Sequence, residues 1–308
     1  MKGRLQPNWM PWYDLRRKTD DGRTPFRDPS DRQSDSLTGE DRKIMETDIL
    51  KKIVRCKKEE IAAAKRRLPQ NRIREQAAGF REKRPFLKRL QQPGPSGVNI
   101  IAEIKRASPS KGLIRADLDA ARYAVEYEKG GAASLSVLTD RMHFQGSAED
   151  LKKARAAVSI PVLRKDFLIS SYQIYESSVL GADAVLLIVK ILSREQLRDY
   201  LDLSHELGMD ALVEIHSKKE LEEAARAGAR LIGINNRNLS SFETDIETAV
   251  HLAAFLEAHQ VAVAESGIRD RADIERTKNS GIRNFLIGES LVRAENPTEF
   301  LRSLMGGA

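Results

Sequence analysis

Eight short β-rich runs, helical segments between them, and a glycine ahead of most returning strands predict a (βα)8 barrel of the TIM type. An N-terminal helical extension precedes it. The runs are 98–104 (VNIIAEI), 133–138 (ASLSVL), 161–165 (PVLRK), 183–189 (DAVLLIV), 210–215 (DALVEI), 230–235 (RLIGIN), 260–265 (QVAVAE) and 283–287 (RNFLI). Strand–helix alternation implies parallel pairing through right-handed crossovers, and eight units is the number that closes a parallel barrel. An open doubly wound sheet alternates too, but it usually has fewer strands and a glycine-rich first turn. No GxGxxG follows the first run here.

In chain order, residues 1–46 are polar, with Pro at 7, 11, 25 and 29, and are expected to form a largely disordered tail. "TDILKKIVRCKKEEIAAAKRRLP" places Ile49, Leu50, Ile53, Val54 and Ile61 at helical spacing, with Thr47 as N-cap and Pro69 as the stop. A second helical stretch covers roughly 71–79. "PFLKRLQQPGPSG" closes the 47–97 extension with a short helix and a turn-rich linker. From Val98 the pattern becomes that of the 98–308 barrel. Between its strands lie amphipathic segments such as "DLDAARYAVEYEKGG" and "SREQLRDYLDLSHELG". The recurring glycines at 130–131, 181, 208, 228 and 281 fit the residue after a helix, where a positive φ is wanted.

The composition narrows the function. The chain has 308 residues, 41% of them hydrophobic, and a single cysteine, Cys56, so no intramolecular disulfide or paired-thiol zinc site is expected. No secretory or transit signal and no apolar run of spanning length is evident, so a cytoplasmic protein without membrane association is expected. The net charge of +7 is local. Residues 51–92 hold 15 bases against 4 acids, and residues 93–308 hold 27 against 31. A basic segment can bind a phosphate polymer, but this one lacks interleaved aromatics and a reader motif. It is read as a solvated face, with no nucleic-acid partner.

Chemistry in a parallel barrel sits at the C-terminal strand ends. The first strand ends with Glu103 and Lys105, and the third with Arg164, Lys165 and Asp166. The fifth supplies Glu214, the sixth Asn235 and Arg237, and the seventh Glu265. Side chains two residues apart share a face, so Glu103 with Lys105, and Asn235 with Arg237, can converge on the lumen. One carboxylate at a strand end would be read as a structural salt bridge. Three glutamates and two lysines together read as an acid–base site, because burial and neighbouring charge shift their pKa values. "ESGI" (265–268) and "IGES" (287–290) follow the seventh and eighth strands, where barrels of this type bind phosphate. Small residues there leave backbone N–H groups free to face an anion. Ser108-Pro109-Ser110 is read as a loop over the mouth, with a hydroxyl available to phosphate or to Glu103. His216 is read as structural.

These residues resemble the indole-3-glycerol-phosphate synthase family of tryptophan biosynthesis. The resemblance runs from about Ile49 to Leu304 and rests on "IAEIKRASPSKG", "SVLTDRMHFQGS", "PVLRKDF", "LVEIH", "GINNRNL", "AESGI" and "FLIGESL", in that order. It implies conversion of 1-(2-carboxyphenylamino)-1-deoxyribulose 5-phosphate to indole-3-glycerol phosphate, with loss of CO2 and water. By resemblance, Lys165 is the general acid acting on the departing hydroxyl as the ring closes, and Glu214 is the base. Lys105, paired with Glu103, anchors carboxylate or phosphate and is a second proton donor. Asn235 and Glu265 orient the substrate, Arg237 supports a carboxylate, and Phe144 and Phe167 pack the aromatic ring. Ser108, Ser266, Gly267, Gly288 and Glu289 line the phosphate end. Where some relatives have Ser after the last glycine, this chain has Glu289, whose backbone N–H can serve. Ring closure creates an iminium that accepts the electrons of decarboxylation, so no cofactor and no metal are expected. The partner is a phosphorylated small molecule, and the chain is expected to act as a monomer or with other tryptophan-pathway enzymes.

Two alternatives compete. Phosphoribosylanthranilate isomerase is a barrel with the same phosphate logic, but its relatives use a cysteine on the first strand, where this chain has Glu103 and Lys105. A non-catalytic RNA-binding scaffold would rest on the basic 51–92 segment.

Overall fold

The computed structural model describes residues 39–79, 82–238 and 241–306. The extension consists of α1 (Gly39–Arg67), α2 (Gln70–Ala77) and α3 (Phe86–Gln91). The first helix begins eight residues before Thr47, so Thr47 lies within the helix and not at its cap. The reason is legible afterwards: no proline or glycine interrupts the chain from Glu40 to Leu68, and Glu, Lys, Arg and Met favour helix. The remainder of the expected tail, residues 1–38, lies outside the described residues.

Eight parallel strands then close on themselves: β1 (Asn99–Ile104), β2 (Ser134–Leu138), β3 (Val162–Lys165), β4 (Ala184–Ile188), β5 (Asp210–Ile215), β6 (Leu231–Asn235), β7 (Val261–Glu265) and β8 (Asn284–Ile287). Each neighbours the next in sequence, and β8 returns to β1 with Ile100 opposite Phe285. The (βα)8 barrel is therefore as the alternation predicts, with every strand inside its expected range. Helices α4 (Ala120–Gly130) and α5 (Ser171–Leu180) end on Gly131 and Gly181 at φ 94° and 88°, as the recurring glycines predict. No helix among the described residues is long and apolar enough to cross a membrane.

Period-two alternation divides the buried side chains into two cores. Ile100, Ala102, Leu135, Val137, Val185, Val213 and Ile232 face outward and pack beneath the surrounding helices. Ile101, Leu163, Leu186, Leu212, Leu231, Val263 and Leu286 face the lumen, where Phe86, Leu87 and Leu90 of α3 join them. The short helix thus plugs the N-terminal end of the barrel. It is held there by Asp210 and Asp183, whose carboxylates accept the backbone N–H of Leu87 (2.8 Å) and Arg84 (2.9 Å). With the floor closed by apolar packing and by the buried Asn99–Asn284 hydrogen bond (2.9 Å), the charged lumen side chains that remain open to a cavity are at the opposite end.

Candidate active site

The same alternation that puts Ile101, Leu163, Leu212 and Val263 in the lumen puts Glu103, Lys165, Glu214 and Glu265 two residues further up their strands. All four strands end there, and their charged side chains meet. Lys165 Nζ lies 2.9 Å from Glu214 Oε2 and 3.1 Å from Glu265 Oε2. Lys105 Nζ lies 2.7 Å from Glu103 Oε1. Asn235 bridges onward, its Nδ2 donating to Glu214 Oε1 (3.2 Å) while its Oδ1 accepts from Ser266 Oγ (2.9 Å).

The electrostatics follow from burial. For Lys165, burial opposes charge, but Glu214, Glu265 and Glu103 together outweigh it, so the ammonium stays protonated well above the ordinary lysine range. Burial likewise opposes ionisation of Glu214, yet the Lys165 charge beside it prevails and its carboxyl titrates below the usual value. Glu265 goes the other way. Burial dominates, Glu214 adds like-charge repulsion, and its carboxyl is pushed up to about 7 despite Lys165. Three carboxylates facing two ammonium groups leave one negative charge unbalanced, and Glu265 is the group that takes up a proton to relieve it.

Two glycines make room for these carboxylates. A Cβ on Gly288 would sit 2.5 Å from Glu103 Oε1, and one on Gly233 would collide with Glu265 Oε1. Gly288 was expected to serve phosphate only, and Gly233 was not anticipated at all. Ser136 was also missed: its hydroxyl donates to Glu103 Oε2 at 3.4 Å, so the serine that reaches this carboxylate is on β2 rather than in the 108–110 loop. Its signal was a pair of serines, Ser134 and Ser136, at lumen parity in one buried strand.

The cluster forms the floor of a cavity of about 840 Å3. Ser108, Phe144, Phe167, Arg237, Ser266, Gly267, Gly288 and Glu289 all line it, along with Lys105, Lys165, Asn235 and the three glutamates. At one side Ser266 and Gly267 adopt consecutive left-handed conformations (φ 66° and 83°), and Gly288 leads into the short helix α6 (Glu289–Arg293). The Glu289 side chain accepts from Arg293 Nε at 3.2 Å. At the other side the rings of Phe144 and Phe167 approach to 6.0 Å between centroids, tilted by 39°. Ile49, Leu50 and Ile53 of α1 cover that apolar end, a contribution that periodicity alone did not reveal. Arg237 spans two loops, donating to Phe242 O (3.1 Å) and to Ser110 Oγ (3.4 Å), so the 108–110 loop does lie over the mouth.

Not every charge at a strand end belongs to this set. Arg164, one residue before Lys165, faces outward and pairs with Asp166 (3.1 Å) and Glu176 (2.8 Å). His216 stands behind Glu214, with Nε2 3.6 Å from its Oε1 and Nδ1 3.3 Å from Glu220 Oε2. Among the described residues, no group of three or more His, Cys, Asp or Glu side chains is arranged to hold a metal ion.

Fold and site together define a (βα)8-barrel enzyme with an acid–base cluster at its C-terminal mouth and glycine-bearing loops beside it. The family profile for indole-3-glycerol phosphate synthase matches residues 50–304. Proteins of that name from Desulfosudis oleivorans and Syntrophobacter fumaroxidans are 56% and 53% identical, each over 84% of this chain and 98% of the relative. The chain belongs to the indole-3-glycerol phosphate synthase family. Solved barrels of other kinds share the fold alone. Thiamine phosphate pyrophosphorylase from Pyrococcus furiosus has TM-score 0.52 and 14% identity, over 68% of this chain and 94% of that one. N-acetylmannosamine-6-phosphate 2-epimerase from Clostridium perfringens has TM-score 0.53 and 15% identity, over 69% and 93%.

Proposed function

We propose that the protein is a carboxy-lyase converting 1-(2-carboxyphenylamino)-1-deoxyribulose 5-phosphate to indole-3-glycerol phosphate, CO2 and water in tryptophan biosynthesis. The observation that carries this reading is Lys165 held between Glu214 and Glu265 in one cavity that Phe144 and Phe167 line together with Gly267 and Gly288. The substrate has a matching shape, with a carboxylated ring at one end and a phosphate at the other.

In this reading the ring lies between Phe144, Phe167 and the α1 face. The phosphate meets the backbone N–H groups of Ser266, Gly267, Gly288 and Glu289. Lys105, held by Glu103, and Arg237 face the carboxylate, and Ser108 sits in the loop above. The ring carbon bearing the carboxylate attacks the ketone carbon, and Lys165 protonates the ketone oxygen to a hydroxyl. The C–CO2 bond then breaks, and its electron pair flows toward the iminium nitrogen and restores the aromatic ring. The hydroxyl leaves as water on receiving a second proton, and Glu214 removes a proton from the neighbouring nitrogen-bound methylene carbon to complete the indole. Glu265, holding a proton near neutrality, returns one to Lys165. Asn235 keeps Glu214 oriented. These steps use protons and the substrate's own electron sink. They call for no nucleic acid and no membrane, and they fit a cytoplasmic enzyme acting alone or beside its pathway neighbours.

The test is to incubate the purified protein with this substrate and no added cofactor, following indole fluorescence. Formation of indole-3-glycerol phosphate with release of one CO2 is expected. Absence of product from folded protein that binds inorganic phosphate would overturn the assignment.

A further inference from the structure

The apolar stripe of α1 that covers the ring end of the cavity contains one charged member. Ile49, Leu50 and Ile53 fall on one helix face, and the next position on that face, four residues beyond Ile53, is Lys57. Its side chain is only 3% exposed. Packing alone would place an apolar residue there, since a buried ammonium is costly unless it is fully paired.

Lys57 Nζ is paired three times: with Asp140 Oδ2 (2.9 Å), Asp166 Oδ1 (3.0 Å) and Glu60 Oε2 (2.8 Å). Burial works against its charge, but Asp166 and Asp140 prevail, and it titrates above an ordinary lysine. The two aspartates have a second task. Asp140 Oδ1 accepts the backbone N–H of His143 (2.8 Å) and Phe144 (3.2 Å), and Asp166 Oδ1 accepts that of Phe167 (2.8 Å). The other oxygen of Asp166 accepts from Thr139 Oγ1 (2.6 Å) and Arg164 (3.1 Å), which fixes the carboxylate's plane. One ammonium on the extension therefore grips the two carboxylates that hold the backbones of Phe144 and Phe167 in the cavity.

We infer that Lys57 is a positioning residue for the ring end of the substrate, fixing Phe144, Phe167 and the α1 lid face relative to one another. The inference rests on the reading above that the ring binds at this end. It makes the extension part of substrate recognition. Among the described residues, no hydrogen bond or ion pair joins this network to the loops after β7 and β8, which build the phosphate end.

The two ends are read separately with 2-aminobenzoate, a fluorescent ring probe, and with inorganic phosphate. In K57M the affinity for 2-aminobenzoate is expected to fall about tenfold, which corresponds to about 1.4 kcal/mol. The affinity for phosphate is expected to stay within about twofold, and KM for the full substrate to rise more than kcat falls. K57Q keeps a donor toward the aspartates and carries the same test should K57M fail to fold. A variant that melts earlier yet binds both probes as the wild type does, or one that loses both affinities together, would overturn the inference, as would a wild type that does not bind 2-aminobenzoate. A wild type that binds both probes and its K57 variants as expected, but turns over no substrate, would sink the proposed activity alone.

Discussion

Lys165 and Glu214 are 49 residues apart in the chain and 2.9 Å apart in the barrel, joined by a part-buried charge-assisted hydrogen bond. The contact exists because β3 and β5, separated by β4, both direct alternate side chains into one closed lumen. Glu265 on β7 completes the grip from the far side of the same lumen. A lysine held this way is charged, immobile and shielded from solvent, which are the conditions under which positioned proton transfer is efficient.

Replacing that lysine removes the proton donor and leaves two buried carboxylates facing each other. K165M is expected to lower kcat by about 10^2 to 10^4. Phosphate inhibition should persist, because the loops after β7 and β8 are untouched. Steady-state kinetics with phosphate as competitor measure both, and undiminished turnover would remove Lys165 from its role.

Glu265 makes stability depend on pH in a predictable sense. Below about pH 4.5 the carboxyl is protonated in both folded and unfolded chains and contributes nothing. Between about 4.5 and about 7 the unfolded chain releases this proton while the folded protein keeps it, so the native state loses ground; above 7 the difference is constant. E265Q, neutral throughout, should therefore gain stability relative to the wild type across that window, by up to roughly 3 kcal/mol, and gain nothing further above it. Urea titrations of both proteins at pH 4, 6 and 8 read the gap; a gap independent of pH would show that Glu265 ionises normally.

A methyl group at Gly233 would occupy the position of Glu265 Oε1. G233A should displace that carboxylate from Lys165 and lower kcat, with KM for the substrate less affected. The bulk of the cost should appear in turnover, since β6 itself tolerates alanine. If G233A retained full kcat, the position of Glu265 would not matter to the chemistry.

Phe86 is fully buried at the opposite end of the lumen, among Ile101, Leu163 and Leu212. F86A should cost about 3–5 kcal/mol of stability by opening a cavity in the floor, while KM remains close to wild type. Chemical denaturation alongside kinetics separates these effects, and a large rise in KM with little lost stability would contradict the plug assignment.

Much of the site could be read before folding. Glu103, Lys105, Lys165, Glu214, Asn235 and Glu265 stand at strand ends, and strand parity alone sends them to one face. Parity also explains Arg164: one residue earlier, it points outward to Glu176. The features that escaped were those whose meaning depends on a distant neighbour. Gly233 looks like any strand glycine until Glu265 lies across it, Ser136 until Glu103 faces it, and Lys57 like one more base in a basic helix until two aspartates from different loops close around it.

Local spacing along the chain was enough to give the order of eight strands and helices, the face of each strand that looks inward, and the strand ends where charge collects. These depend on the spacing of neighbours a few residues apart, which local periodicity records directly. Which carboxylate binds which lysine, and that α1 lines the cavity beside them, emerged with the folded barrel. Those outcomes depend on the register in which the barrel closes and on where α1 docks, and both are set by packing between segments that local spacing does not connect.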